Sequence, residues 1–499
     1  MKSKHTIKIN FRGGIISPGD LYNILVAASN HRIQSVSFGL RQQLFIPAST
    51  ETIQPICNEL RKLDTFFETG CDDFPNVMSS YPAEEVFINH TWLSEGVYKD
   101  ILDGLTYTPR LKINISDANQ SFTPMLTGNI NWVAAADAQH FWHLFIRFPK
   151  TNIVQEWNEM VYTNDVALLS KEIEQLIYRY PEKFVDNENA SGRELFDLLE
   201  QKKYIIRRAD KPAVLPRFNL PYYEGLNRYS NKYWLGIYRR DESYSVEFLK
   251  SLCLLCLETK TGQICSTPWK TIIVKGIEEK DRIRWNYLLE KYQVNVRHAA
   301  NELNFQVEDN SEKALAVKKY LVKAFSNGDT RTFGLCIGIK TRNKSEIFSS
   351  ILVKRRSLLK IGRVGLLHVY DILCARDFNP NERTGSVFSS NNPRFLLAEQ
   401  LRRSVVAFYK YKATVNRPVE KAVSTKKEKP TSEPAAFVYQ CGHCRTVYDE
   451  QTGDPGQHIK AGTLFADLPA EYTCQLCEAP KDDFVKTEKE KLGLQAVDF

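Results

Sequence analysis

Long apolar runs are missing from this 499-residue chain. The most apolar short stretch, Leu252 to Leu257, falls far below the roughly 20 residues that a membrane span needs, so no membrane partner is expected. The opening Met1-Lys2-Ser3-Lys4-His5-Thr6 is basic but has no apolar segment behind it. No secretory signal is therefore expected, and the cytoplasm is the expected compartment. No helix-turn-helix stands out and no basic strand interleaved with aromatics, and Lys and Arg are dispersed, which argues against a nucleic-acid partner. The compositional signature of disorder is also lacking: 43% apolar and 25% charged residues describe a soluble globular protein. Regular cysteine spacing is scarce. Seven of the eleven cysteines (Cys57, Cys71, Cys253, Cys256, Cys265, Cys336 and Cys374) are scattered and expected as buried thiols. Cys253 and Cys256 do form a C-x-x-C, but in a helical-looking segment at core-facing spacing and with no second pair nearby.

What is present begins with length, which implies two to four domains. Residues 413–436 carry three prolines, many charges and little to bury, which is linker composition. As a flexible coil this segment would reach roughly 25–30 Å. Charge divides across it. Residues 437–499 hold six Lys and Arg against eleven Asp and Glu, a net of −5, which leaves +13 on residues 1–436 of a chain of net +8. Two parts so charged attract each other or compete for the same charged partner.

The longer part reads as duplicated. A strand-like opening, a helix, a β-rich segment and a second helix recur some 228 residues apart. The first copy runs through Gly13 to Ala28, Ser35 to Ile46 and Pro55 to Leu63; the second through Tyr233 to Tyr238, Ser245 to Leu257, Gly262 to Val274 and Ile283 to Tyr292. Two α+β halves related by pseudo-symmetry are predicted.

The strongest chemical signal is Cys441-Gly-His-Cys444, followed after twenty-nine residues by Cys474-Gln-Leu-Cys477. Two such knuckles facing each other make a tetrahedral S4 cage suited to iron or zinc. In a reducing compartment paired cysteines are more often metal ligands than disulfides. Around them stand Tyr439, Tyr448-Asp449, Thr452-Gly453-Asp454-Pro455, Gly462-Thr463-Leu464-Phe465, Leu468-Pro469, Tyr472 and Lys481-Asp482-Asp483-Phe484. With these the segment resembles rubredoxin. The resemblance implies one iron cycling between ferric and ferrous on four thiolates, and a small core of Tyr439, Tyr448, Phe465, Tyr472 and Phe484. It also implies glycine after the second cysteine of each knuckle, where this chain has Arg445 and Glu478. His443 is expected to be exposed.

Residues 5–410 resemble, more distantly, the sulfite and nitrite reductases that carry sirohaem beside a four-iron cluster. The resemblance rests on Ser17-Pro18-Gly19-Asp20-Leu21, Leu40-Arg41-Gln42-Gln43-Leu44, Pro109 to Ser116, Thr127 to Ala135, Ser266 to Val274 and Tyr370 to Leu373. It implies that Arg41, with Arg110 and Lys112 as a basic pair, holds a sirohaem-like anion. On a strand, residues two apart face one way, so Arg110 and Lys112 would grip one group together; a solvated strand edge is the competing reading. The family's C-x5-C and C-x3-C cluster ligands are absent. Val296 to Val307 contains no cysteine and Leu335 to Lys340 only Cys336, and a cluster needs its thiolates. No four-iron cluster is expected, and sirohaem retention is left open.

The fold class expected is α+β: a duplicated reductase-like body with ferredoxin-like half-domains, and a rubredoxin fold on a flexible linker. The divisions are residues 1–70 and 216–300 (half-domains), 71–215 and 301–412 (sirohaem-domain-like regions), 413–436 (linker), 437–486 (rubredoxin) and 487–499 (tail). The leading functional expectation is a one-electron carrier with redox protein partners: a donor reductase, and an acceptor such as a nitrite or sulfite reductase. A cluster-free sirohaem reductase fed by its own rubredoxin segment, and a scaffold with a structural metal, are the alternatives.

Overall fold

The computed structural model describes residues 4–88, 91–342, 347–361, 364–382, 384–415 and 437–489. The chain divides into two compact units, Met1–Arg417 and Pro418–Phe499. The helix Arg394–Val415 takes in the first three residues of the expected linker, and the rest of that linker lies outside the described residues. No described helix is long and apolar enough to cross a membrane.

The duplication is visible in the hydrophobic pattern and in the folded elements alike. Helices Pro18–Asn30 and Val246–Glu258 are both thirteen residues long and begin 228 residues apart. Each starts on a serine, Ser17 or Ser245, whose hydroxyl accepts from the backbone N–H three residues on. That satisfies a donor the first helical turn would otherwise leave unpaired. Each helix is followed by two antiparallel strands and a second helix: Ser35–Phe38, Leu44–Ser49 and Ile53–Lys62, then Gln263–Ser266, Ile272–Ile277 and Arg282–Lys291.

The two copies exchange strands. The sheet of the first copy runs Tyr244–Ser245, Ser35–Phe38, Leu44–Ser49, Lys4–Ile9, Phe67–Thr69, so its edge strand comes from the second copy. The sheet of the second runs Gly225–Tyr229, Lys232–Ile237, Ile272–Ile277, Gln263–Ser266, Ile15–Ile16, with an edge strand from the first. Both donated strands directly precede the capped helices, which pack on each other. The two half-domains therefore share one core, in which Ile7, Leu25, Phe38 and Leu44 meet Leu235, Phe248, Leu252 and Cys253. Cys253 and Cys256 are buried in it, and burial pushes the Cys253 thiol up to about 12; of the seven scattered cysteines expected to be buried, Cys71 is exposed instead.

Two larger mixed sheets repeat the duplication. One orders Met78–Ser79, Ile113–Ser116, Ile130–Ala134, Phe141–Arg147, Val154–Tyr162, Ile206–Arg208; the other Phe305–Val307, Ile337–Lys340, Ile351–Ile361, Val364–Ala375, Gly385–Asn392. In both, the first two pairings are parallel and the rest antiparallel. The near-continuous burial of Ile113–Ser116 and Ile130–Ala134 fits sheets covered on both faces. The second unit is small: a three-stranded sheet in the order Val447–Tyr448, Phe437–Cys441, Phe484–Glu488, with short turns around it.

Candidate metal centre

The first knuckle leaves the strand Phe437–Cys441, and the second is reached through the turns before Cys474. Both close with the same backbone ring. Cys441 N–H donates to Thr446 O at 2.8 Å and Arg445 N–H to Cys441 O at 3.0 Å; Cys474 N–H donates to Ala479 O at 2.8 Å and Glu478 N–H to Cys474 O at 2.9 Å. This turn needs a left-handed residue after each second cysteine. Arg445 has φ +64° and Glu478 φ +60°, so the two departures from glycine sit in the strained conformation that the resemblance implies there. An L side chain in that region costs roughly 1–2 kcal/mol, partly offset by the smaller entropy loss of a non-glycine residue. Arg445→Gly is expected to stabilise the iron-loaded domain by about 0.5–1 kcal/mol, read from the denaturant midpoint at which its visible absorption disappears.

The knuckles bring the four sulfurs within 4.8 Å of one another, with Cys441 and Cys477 at 3.6 Å and Cys444 and Cys474 at 3.3 Å. Cys441 and Cys474 are buried, Cys444 is half-buried and Cys477 is exposed, so the second cysteine of each knuckle forms the open edge. A soft, closed S4 set fits iron, which supplies one-electron redox chemistry when bound. Thr446 was not singled out in the sequence. Its hydroxyl lies 3.0 Å from Cys444 Sγ, and hydrogen bonds from its side chain and backbone bring that thiol down to about 6. Its place two residues beyond a ligand is the signal that could have found it. His443 is exposed, 2.9 Å from Asp483, and no ligand.

Behind the sulfurs lie the expected rings. Tyr439 stacks on Phe465 with centroids 3.9 Å apart, Tyr472 stands edge-on to Tyr448 at 5.7 Å, and Phe484 lies 5.6 Å from Phe465. The Gly453-Asp454-Pro455 turn supports them. Asp454 is buried and accepts from Tyr472 O–H at 3.0 Å and Gln457 N–H at 3.2 Å. Gly453 has φ +70°, and a Cβ there would meet Lys460 O at 2.5 Å.

The basic residues of the body come together only in part. Arg41 and Lys112 line one cleft of about 220 Å³, also walled by Asp72, Glu308, Asp309 and Arg342. Arg110 lies elsewhere, its guanidinium 5.0 Å from the Tyr178 ring. The strand begins only at Ile113, so the alternation that would aim Arg110 and Lys112 the same way starts after both. Arg41 donates to Asn76 O at 2.8 Å, Ile113 O at 3.0 Å and Asn114 Oδ1 at 3.1 Å, which ties loop to sheet. Of its three carboxylates, Asp72 pairs with Lys8 and Asp309 with Lys270, and its volume falls below the about 300–1,000 Å³ typical of cofactor pockets. A cleft of this size is smaller than a macrocycle needs. Cys336 is buried, its Sγ accepting from Ser350 N–H at 3.2 Å. Among the described residues, the groups able to offer three or more ligands are the four-cysteine set and Glu68, Cys71 and Asp73. In the latter, Glu68 is already paired with buried Lys8.

Residues 438–484 match the Rubredoxin family model. The rubredoxin of Megasphaera elsdenii is 52% identical over 50 residues, 10% of this chain and 94% of that protein. The high molecular weight rubredoxin of Moorella thermoacetica is 48% identical over 58 residues, 12% of this chain and 25% of that one. The body is similar in fold to the Mycobacterium tuberculosis NirA protein, with a TM-score of 0.63 at 13% sequence identity over 84% of this chain and 82% of that one. A sulfur cage of this spacing, its aromatic core and these relatives lead to one assignment: through its C-terminal domain the chain belongs to the rubredoxin family, joined to a body with the NirA fold.

Proposed function

We propose that the chain is a one-electron carrier that serves redox proteins of the cytoplasm: a reductase as donor, and a nitrite or sulfite reductase, or a related enzyme, as acceptor. The observation that carries this reading is the position of the sulfur cage. Cys441 and Cys474 anchor it on the aromatic core, while Cys444 and Cys477 stand at the surface, where a partner can approach within electron-transfer distance. Buried anchors hold the ligands still between oxidation states, which limits reorganisation, and the exposed edge sets the route of exchange. The N–H and hydroxyl donors around the sulfurs stabilise thiolate charge.

The body then acts by docking and not by six-electron reduction. Its cleft of Arg41 and Lys112 is small, and among the described residues the groups able to offer three or more metal ligands do not include Cys336. The expected composition of the purified full chain is one iron and no acid-labile sulfide, with ferric-thiolate absorption and no sirohaem bands. Stoichiometric sulfide, or sirohaem absorption, would turn the assignment to a reductase fed by its own rubredoxin domain. A colourless zinc protein would turn it to a scaffold.

A further inference from the structure

The helix Glu312–Asn327 carries the adjacent Lys318 and Lys319, and Lys323 one turn beyond Lys319. Lys319 and Lys323 are exposed and four residues apart, so they share a face on which like charges repel. Lys318 differs from both. Its side chain is only 4% exposed, and a buried ammonium has three donors to satisfy. Its ion-pair partner, Glu242 Oε1, lies at 3.8 Å, beyond hydrogen-bonding reach. The other oxygen of Glu242 accepts from Lys270 at 2.7 Å. Otherwise Lys318 Nζ faces the Tyr238 ring, 5.1 Å away, and burial draws its pKa below the usual lysine range.

These three lysines line a groove of about 260 Å³ together with Arg240 and Glu302. Glu302 is committed to Arg240, whose Nε and Nη2 donate to its two oxygens at 2.6 and 3.0 Å. That pair is neutral and Lys318 shares Glu242 with Lys270, which leaves Lys319 and Lys323 as exposed positive charges above a buried, loosely paired ammonium.

We propose that this groove binds a small oxyanion of the phosphate class, held by the buried Lys318 and by Lys319 and Lys323 at the rim. A phosphate offers several acceptors around one centre, which suits lysines acting as converging point charges. Size favours a small ligand: an acidic protein surface would meet the exposed lysines but not reach Lys318. The site lies in the body and stands independently of the electron-carrier reading.

The test is titration of the full chain with inorganic phosphate, followed by calorimetry and thermal unfolding at constant ionic strength, with chloride as the control ion. Saturable binding and a raised unfolding temperature are expected. Lys318→Met, which keeps side-chain length, and Lys323→Gln, an exposed change that leaves packing intact, should each weaken binding about ten-fold or more, the scale of one charge-assisted hydrogen bond. Glycerol 3-phosphate binding more tightly than phosphate would assign a phosphate ester, and the reverse the free ion. Absence of saturable binding, an equal response to chloride, or unchanged affinity in Lys323→Gln would overturn the proposal, whether or not Lys318→Met folds.

Discussion

Cys474→Ser is expected to leave the full chain without stoichiometric iron and with an unfolded C-terminal domain. The domain is too small to hold itself together by apolar burial. Its buried cluster consists of Tyr448, Leu468, Tyr472, Ala479 and Phe484 beside Cys441 and Cys474. A core of this size supplies at most about 3–5 kcal/mol, whereas a structural metal on cysteine-rich ligands contributes on the order of 10 kcal/mol of folding free energy. Two left-handed non-glycine residues, Arg445 and Glu478, draw on that total. Replacing one thiolate by a hydroxyl takes away a soft ligand and opens the cage to water. Cys474 is 1% exposed, so no solvent-side rearrangement can restore the missing ligand. The same loss is expected for Cys441→Ser, Cys444→Ser and Cys477→Ser. Metal analysis, visible absorption and near-ultraviolet circular dichroism of the aerobically purified variant make the measurement. Full iron with unchanged redox behaviour in Cys474→Ser would refute the assignment of the ligands.

Electron transfer between this protein and a partner is expected to slow about ten-fold or more as salt rises from 0.01 to 1 M, an interval over which the Debye length falls from about 30 Å to about 3 Å. The motive is the charge division, −5 on residues 437–499 against +13 on the rest. Beside the open edge of the cage stand Arg445 and Glu478, the residues after Cys444 and Cys477, and Asp483, which lies against His443. An acidic domain of this kind is steered toward a basic surface, and opposed fields raise association rates by roughly ten- to a thousand-fold. The measurement is reduction of the iron domain by a donor reductase, and its oxidation by a nitrite or sulfite reductase, across that salt range. Rates independent of ionic strength would assign the charge asymmetry to solubility and remove it from recognition.

Much of the iron site was legible in the chain because it is local. A C-x-x-C knuckle, the Gly453 turn and the ring-bearing positions are each specified within a few residues, and the metal joins two such pieces at a defined spacing. The duplication was legible for the same reason: serine-capped helices and the strand pairs that follow them repeat as short-range patterns at a constant offset. Long-range placement was not. That Ile15–Ile16 and Tyr244–Ser245 would exchange sheets depends on two edges separated by more than two hundred residues, and nothing local marks them. Arg110 and Lys112 were paired by strand alternation, but the strand begins at Ile113 and Arg110 finds an aromatic face on another element.

By itself, then, the sequence determined the four-cysteine cage of a rubredoxin domain, the aromatic core behind it and the two-fold repeat of the body, because each follows from residue type and spacing along a short segment. Tertiary structure alone decided which charges meet. It set Asp309, Glu308 and Asp72 in one cleft with Arg41 and Lys112, and it sank Lys318 beside two exposed lysines with Glu242 out of hydrogen-bonding reach. Electrostatic balance at a site sums over groups brought together from distant parts of the chain, and the strength of each term depends on how much water folding leaves beside it.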